Sequence, residues 1–165
     1  MGFNPSTIAF MDALITVAGM TENSWEQKRK VYRSWGWSEN EFWLAFRSHP
    51  RCMTRSVENI NTKMDFFVNK MGWQPSAVAR TTRALCCSLE KTIIPRCRVL
   101  RVLLFNDLIK NNLSMSSVLK ATEKHFIDKF LSKYQEQVPQ LFDIYQGKVD
   151  LPELGIGFEQ KPEAN

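Results

Sequence analysis

The chain has few of the residues that build metal and redox sites. It contains four cysteines, at positions 52, 86, 87 and 97, and two histidines, His49 and His125. No two cysteines have C-x-x-C spacing, and the H-x-x-C pair His49 and Cys52 has no second ligand pair near it in the sequence. Because a structural zinc site needs four converging ligands, we expect no metal and no other cofactor. We interpret the cysteines as reduced thiols in a core.

Long apolar runs and phosphate-cradling glycine loops are also missing. No uninterrupted apolar run reaches about 18 residues, so we expect neither a membrane span nor a membrane partner. The apolar N-terminal segment carries Asp12 and lacks a basic start, which favours a packed helix over a signal peptide. The seven glycines are scattered, and no acidic pair has a basic or metal partner in view. We therefore expect no enzyme activity.

Acidic residues are scarce where basic residues are dense. Residues 28–101 hold 15 Lys and Arg against 5 Asp and Glu, whereas residues 135–165 hold 2 against 6. All ten arginines lie between Arg29 and Arg101. The planar guanidinium suits phosphates and base edges better than the lysine ammonium does. The segregation of arginine therefore favours a surface that binds an anionic partner.

A tripeptide of serine, an apolar residue and glutamate recurs at a step of 32 residues, starting at Ser24, Ser56 and Ser88. A period of this size is typical of stacked helical repeats. We predict that each serine is the N-cap of a helix, because a glutamate in the first turn is favoured by the helix dipole.

Other helix boundaries follow from caps, glycines and prolines. The predicted helices run from Asn4–Pro5 to Gly19, Ser24 to Gly36, the capping box Ser38–Glu41 to Pro50, Ser56 to Gly72, Pro75 onward, Ser88 to about Asp107, Ser117 or Thr122 through Leu131, and Pro139 to Tyr145. We expect Pro95 to kink or break its helix. Since no segment alternates as a strand does, the predicted fold is all-α, with two or three helices in each repeat of about 32 residues.

Several motifs stand in the order typical of one known family. They are Gly36–Glu39, Ala45–Arg47 with Pro50, Ser56–Ile60, Lys63–Val68, Met71–Trp73, Ser88–Lys91 with Ile94–Arg96, and the closing run from Lys124 to Gly147. Over roughly residues 3–155 the combination resembles the mitochondrial transcription termination factor (mTERF) family in its land-plant form. Family members usually place a proline at the end of the short helix of each repeat. Pro50 fits this pattern, whereas Thr82 stands at the next expected position.

The resemblance implies a curved α-solenoid that binds double-stranded DNA or structured RNA in a mitochondrion or chloroplast. Its implied roles are transcription termination, transcription regulation or RNA processing, with proteins of the organelle expression machinery as further partners. We expect a monomer with one repeat domain over residues 1–155 and a disordered tail over residues 156–165. Because family members are longer and carry a transit peptide, the chain resembles a C-terminal fragment or a shortened gene product.

Basic residues form two clusters in the sequence, one over residues 80–101 and one around Pro50. In the first cluster, Arg80 with Arg83 and Arg98 with Arg101 are i, i+3 pairs. We expect each pair to share one helix face that points away from the apolar stripe. Arg96 has a structural alternative, in which its stem packs beside Pro95, and we expect the tryptophans to pack in the core. The predicted nucleic-acid-binding residues are Arg47, Arg51, Arg80, Arg83, Lys91, Arg96, Arg98 and Arg101.

Two other functions stay open at this point. A protein-binding α-solenoid adaptor would use the same groove for apolar and acidic partners. A truncated remnant of a repeat gene would have no function. The concentration of arginine in the repeats favours nucleic-acid binding over both, since an adaptor does not need it.

Overall fold

The computed structural model describes residues 6–110 and 115–149, without the side chains of residues 115–117. Within these ranges the chain forms helices and turns and no strand, which confirms the all-α prediction. The chain divides into two compact units between Cys86 and Cys87. The helices of the described part are all too short or too polar to cross a membrane. The predicted cap at Asn4 and the predicted tail lie outside the described residues.

The described residues of the first unit form six α-helices: α1 (Ile8–Ala18), α2 (Glu22–Ser34), α3 (Glu39–Ser48), α4 (Val57–Asp65), α5 (Pro75–Arg80) and α6 (Arg83–Cys86). A 3-10 helix, Pro50–Thr54, precedes α4, and a π-helix, Phe66–Lys70, extends it. The 3-10 helix packs against α1, α3 and α6, while α3 also packs against α5 and α2 against α4. This arrangement places the segment after Pro50 among three helices.

In the second unit the described residues form four α-helices: α7 (Ile94–Phe105), α8 (Met115–Lys120), α9 (Glu123–Phe126) and α10 (Leu141–Tyr145). The π-helix Leu89–Ile93 leads into α7, and the π-helix Ile127–Leu131 and the 3-10 helix Ser132–Tyr134 follow α9. Helix α10 packs on α7. Side chains of both helices, such as Leu103 and Ile144, are buried with Phe126 and Leu131 in one hydrophobic cluster.

Two of the three predicted serine caps are confirmed. The hydroxyl of Ser56 accepts the N–H of Asn59 at 3.1 Å, and that of Ser88 accepts the N–H of Lys91 at 3.2 Å. The prediction for Ser24 is wrong, because Thr21 is the N-cap of α2 and its hydroxyl accepts the Ser24 N–H at 3.2 Å.

The observed repeat is less regular than the 32-residue register suggested. Ser117 lies inside α8, and Thr122 is the N-cap of α9. The repeats therefore begin at Thr21, Ser56, Ser88 and Thr122, which stand 35, 32 and 34 residues apart. The predicted capping box of Ser38 and Glu41 is present at the start of α3.

The helices of the first two repeats end in the predicted Gly-Trp turns. Gly36 has φ 87° and Gly72 has φ 69°, a left-handed conformation that glycine adopts without strain. The tryptophan after each glycine stacks on a ring of the helix just completed, at centroid distances of 4.3 Å for Tyr32–Trp37 and 4.8 Å for Phe67–Trp73. Such a contact is typical of a Schellman-type helix end. It confirms the packing role predicted for these two tryptophans.

Around Pro95 the chain stays helical. The N–H of Ile94 bonds to the carbonyl of Leu89 in the π-helix, and Pro95 falls in the first turn of α7. Proline lacks an N–H, which is least costly where a new helix starts. At the position where we expected a kink or a break, the chain changes from a π-helix to an α-helix.

Candidate nucleic-acid interface

In the first unit, arginine side chains from two elements lie around His49. Arg51 belongs to the 3-10 helix after Pro50, and Arg83 begins α6, which packs against that 3-10 helix. Burial lowers the pKa of His49; Arg83 lowers it further, as do Arg51 and Arg55, while Asp12 opposes them. Each of the three guanidinium groups therefore disfavours the charged form of the His49 imidazole. We call His49, Asp12, Arg51, Arg55 and Arg83 the His49 cluster.

Asp12 of α1 holds one arginine of this cluster in place. Its Oδ1 accepts a hydrogen bond from Arg51 Nε at 3.0 Å and lies 2.9 Å from Arg51 Nη2. Two contacts to one carboxylate oxygen restrict the orientation of the guanidinium group. With three arginines against one aspartate, the His49 cluster keeps a net positive charge. The side chains of Arg51 and Arg83 are exposed.

Two more predicted residues of the first unit are exposed on helices that pack together. Arg47 lies in the last turn of α3, and Arg80 ends α5. Hydrogen bonds from the backbone and hydroxyl of Ser38 lower the pKa of Glu41, and Arg80 acts in the same direction. Arg80 therefore lies near the start of α3 and Arg47 near its end.

The second unit exposes fewer of its predicted cations. Lys91 is exposed in the π-helix before α7. Arg98 is half-buried, with Nη1 3.1 Å from the point that a Cβ on Gly147 would occupy. Arg101 is 9% exposed, and burial lowers its pKa. The expectation that Arg98 and Arg101 both project away from the apolar face is wrong, because α7 is buried on most of its sides.

Arg96 is a structural residue. Its side chain is buried, and Nη1 donates to the carbonyls of Val118 and Ala121 at 2.8 Å each. Nη2 lies 3.4 Å from a carboxylate oxygen of Glu123, and the guanidinium carbon is 4.9 Å from the ring centroid of Phe126. These contacts engage the Arg96 guanidinium within the protein, and its role in nucleic-acid binding stays a prediction that no observation supports. The structural alternative was packing of the Arg96 stem beside Pro95, whereas the observed contacts are made by the guanidinium group.

Two lysines of the first unit make the same kind of contact, which the sequence reasoning missed. Buried Lys28 donates to the carbonyl of Arg55, and buried Lys63 donates to that of Leu85 at 2.7 Å. With Arg96, they stand seven or eight residues after the N-cap that begins their repeat. Each binds a carbonyl shortly before the N-cap that begins the next repeat. We call these three residues the buried clamps. The signal available in the sequence was their constant distance from the caps.

The four cysteines, all within the described residues, form no disulfide. Cys52 and Cys97 are buried, and burial raises the pKa of both thiols, that of Cys97 to about 12. Thiols of this kind are poor nucleophiles and poor metal ligands. Across residues 6–110 and 115–149, no three His, Cys, Asp or Glu side chains are grouped closely enough to hold a metal ion.

An all-α repeat whose helices are capped at intervals of 32 to 35 residues defines a helical-repeat protein. The family model for mTERF matches residues 6–127, and the chain belongs to the mTERF family. A curated relative is the mitochondrial transcription termination factor MTERF15 of Arabidopsis thaliana, which is 26% identical over 87 residues. The match covers 53% of this chain and 20% of that relative, so the chain spans about a fifth of the relative's length. No solved structure matches the chain.

Proposed function

We propose that the chain binds double-stranded DNA or structured RNA and acts in transcription termination or another step of gene expression in an organelle. The observation that carries the proposal is that Arg51 and Arg83 are exposed on two elements that pack together, and that both act on His49 together with Arg55. Membership of the mTERF family supports it, and the mitochondrial relative favours the mitochondrion over the chloroplast.

Phosphate groups are the chemical feature that the His49 cluster suits best. The guanidinium groups of Arg51 and Arg83 lie on different elements, and Arg51, whose Nε and Nη2 contact Asp12, still has Nη1 to donate to a phosphate oxygen. Contacts to the backbone position a protein on a nucleic acid and carry little sequence information. We therefore propose binding that tolerates sequence differences, with Arg47 and Arg80 on α3 and α5 as additional phosphate contacts.

The test is a double variant, Arg51→Gln with Arg83→Gln, compared with Lys120→Gln and Lys124→Gln. The two lysines are exposed and lie outside the cluster, so both variants lose the same charge. Anisotropy of a labelled duplex and of a stem-loop RNA measures affinity at several salt concentrations. We expect the arginine variant to bind about tenfold more weakly and its salt slope to shrink by about 2, since each lost phosphate contact removes about 0.9.

We expect the lysine variant to lose about twofold at most, because general loss of charge has a small effect. Thermal unfolding of both variants verifies that they are folded. Equal weakening in the two variants would show that net charge, and not the His49 cluster, determines binding.

A further inference from the structure

A pocket of about 320 Å³ lies in the second unit, apart from the residues assigned to nucleic-acid binding. Its lining consists of three lysines, Lys110, Lys129 and Lys133, and of four apolar residues, Leu108, Ile109, Phe130 and Tyr134, which we call the apolar floor. We call the whole the lysine pocket. Because it combines three positive charges with aliphatic and aromatic carbon, the ligand that suits it has both carboxylate or phosphate groups and apolar side chains.

The three lysines are available to a ligand. All are exposed, and within the described part of the chain no acidic side chain forms an ion pair with any of them. The ammonium of Lys129 lies 5.4 Å from the ring centroid of Phe130, and that of Lys133 lies 5.1 Å from that of Tyr134. These cation–π contacts keep the charges at the edge of the apolar floor.

The chain itself contains a segment of matching chemistry. Residues 150–165 hold four acidic residues and one lysine, and also four large apolar residues: Leu151, Leu154, Ile156 and Phe158. Val149, which directly precedes this segment, packs against the same hydrophobic cluster as Ile109 and Tyr134. An extended chain covers about 3.3 Å per residue, so ten residues span far more than the width of such a pocket.

We infer that the lysine pocket binds an acidic peptide with apolar side chains, and that residues 150–165 of the same chain are its occupant. The carboxylates face the three lysines, and an apolar side chain such as Phe158 or Leu154 fills the floor. A nucleic acid satisfies the lysines but leaves the aliphatic part of the floor without a partner, which favours the peptide. This inference does not depend on the proposed function, since it concerns the free chain.

Zero-length carbodiimide crosslinking of the chain with residues 1–165, followed by peptide mass spectrometry, tests the inference. We expect amide crosslinks from Lys110, Lys129 and Lys133 to Glu153 and Glu159, and few from the exposed lysines Lys120 and Lys124. In 1 M salt, where the Debye length is about 3 Å, the yield should fall severalfold. Crosslinks distributed evenly over all five lysines would overturn the inference.

The variant Leu154→Ala with Phe158→Ala keeps every charge and tests the apolar floor. We expect a severalfold loss of the pocket crosslinks, whereas an unchanged yield would refute apolar docking. Mixing isotope-labelled with unlabelled chain separates the two possible sources of the segment. Crosslinks that join labelled to unlabelled peptides would assign the pocket to a second copy and overturn the intramolecular inference.

Duplex DNA is the competing occupant. We expect the triple change of Lys110, Lys129 and Lys133 to Gln to abolish the crosslinks at these positions and to change DNA affinity less than Arg51→Gln with Arg83→Gln does. If the lysine variant weakens DNA binding more than the arginine variant, the pocket is part of the nucleic-acid site and the peptide inference fails. If only the arginine variant loses DNA binding, the lysine pocket is not part of the nucleic-acid site, as the inference expects.

Discussion

Buried cations account for the main difference between the charge pattern of the chain and its surface. Lys28, Lys63 and Arg96 lie in the arginine- and lysine-rich stretch, yet each is less than a tenth exposed and donates to backbone carbonyls. Burying a charge is costly unless hydrogen bonds compensate for the lost water. The three clamps are therefore structural, and the count of basic residues overstates the charge available to a ligand.

Arg96 offers the clearest test of a clamp. We expect Arg96→Gln to lower the free energy of unfolding by about 3 kcal/mol, because it leaves the carbonyls of Val118 and Ala121 without their charged donor. Arg96→Lys should recover only part of the loss, since an ammonium lacks the planar fork. Urea denaturation measures both. The exposed control Lys91→Gln should change stability by less than about 0.5 kcal/mol, and an equally small effect at Arg96 would contradict the clamp.

His49 predicts a pH dependence of stability. Its folded-state pKa lies below the unfolded value of about 6.5, so the unfolded chain binds more protons as the pH falls. The contribution of His49 is therefore complete above about pH 6.5 and decreases as the pH falls towards the folded-state pKa. Urea denaturation at pH 7.5 and 5.5 should show a larger loss of stability in the native chain than in His49→Gln. Identical losses in the two proteins would contradict the lowered pKa.

At the scale of the helices, local signals located most boundaries. The caps Ser38, Ser56 and Ser88 and the Gly-Trp turns involve contacts within about six residues of the chain, which sequence patterns capture well.

The turn in the third repeat is different. Asp107 stands in the left-handed conformation, with φ 54°, where the first two repeats have glycine. Aspartate tolerates this conformation, so the turn persists in the backbone although the Gly-Trp motif is lost.

The start of α2 provides a matched test of capping. Thr21 and Ser24 both precede an acidic residue, but only the Thr21 hydroxyl accepts an N–H from the first turn. We expect Thr21→Ala to cost about 1 kcal/mol of stability. Ser24→Ala should change it by less than about 0.5 kcal/mol, since Ser24 lies within the helix. Thermal or urea unfolding of the two variants decides, and a larger cost at Ser24 would show that the cap is assigned to the wrong residue.

For the whole molecule, five of the eight predicted binding residues are exposed: Arg47, Arg51, Arg80, Arg83 and Lys91. If all five contact phosphates of duplex DNA, the logarithm of the binding constant should fall with the logarithm of salt concentration at a slope of about −4.5. Anisotropy titrations of the unmodified chain between low and moderate salt measure this slope.

The slope also separates the competing proposals. A value near −7 would mean that about eight cations contact phosphates, and that Arg96, Arg98 and Arg101 leave their observed environments on binding. Absence of binding at low salt would contradict the nucleic-acid proposal and favour a protein-binding adaptor.

Helix content, most caps and the Gly-Trp turns were readable from the amino-acid sequence, because each depends on residues close together in the chain. Which cations are exposed was not, because burial depends on residues distant in the sequence. Arg96 binds carbonyls 22 and 25 residues further on, and His49 meets Arg83 only because α6 packs against the segment after Pro50. Tertiary packing thus separated the structural cations from those that can bind a phosphate, since a side chain's access to solvent is decided by its neighbours in space.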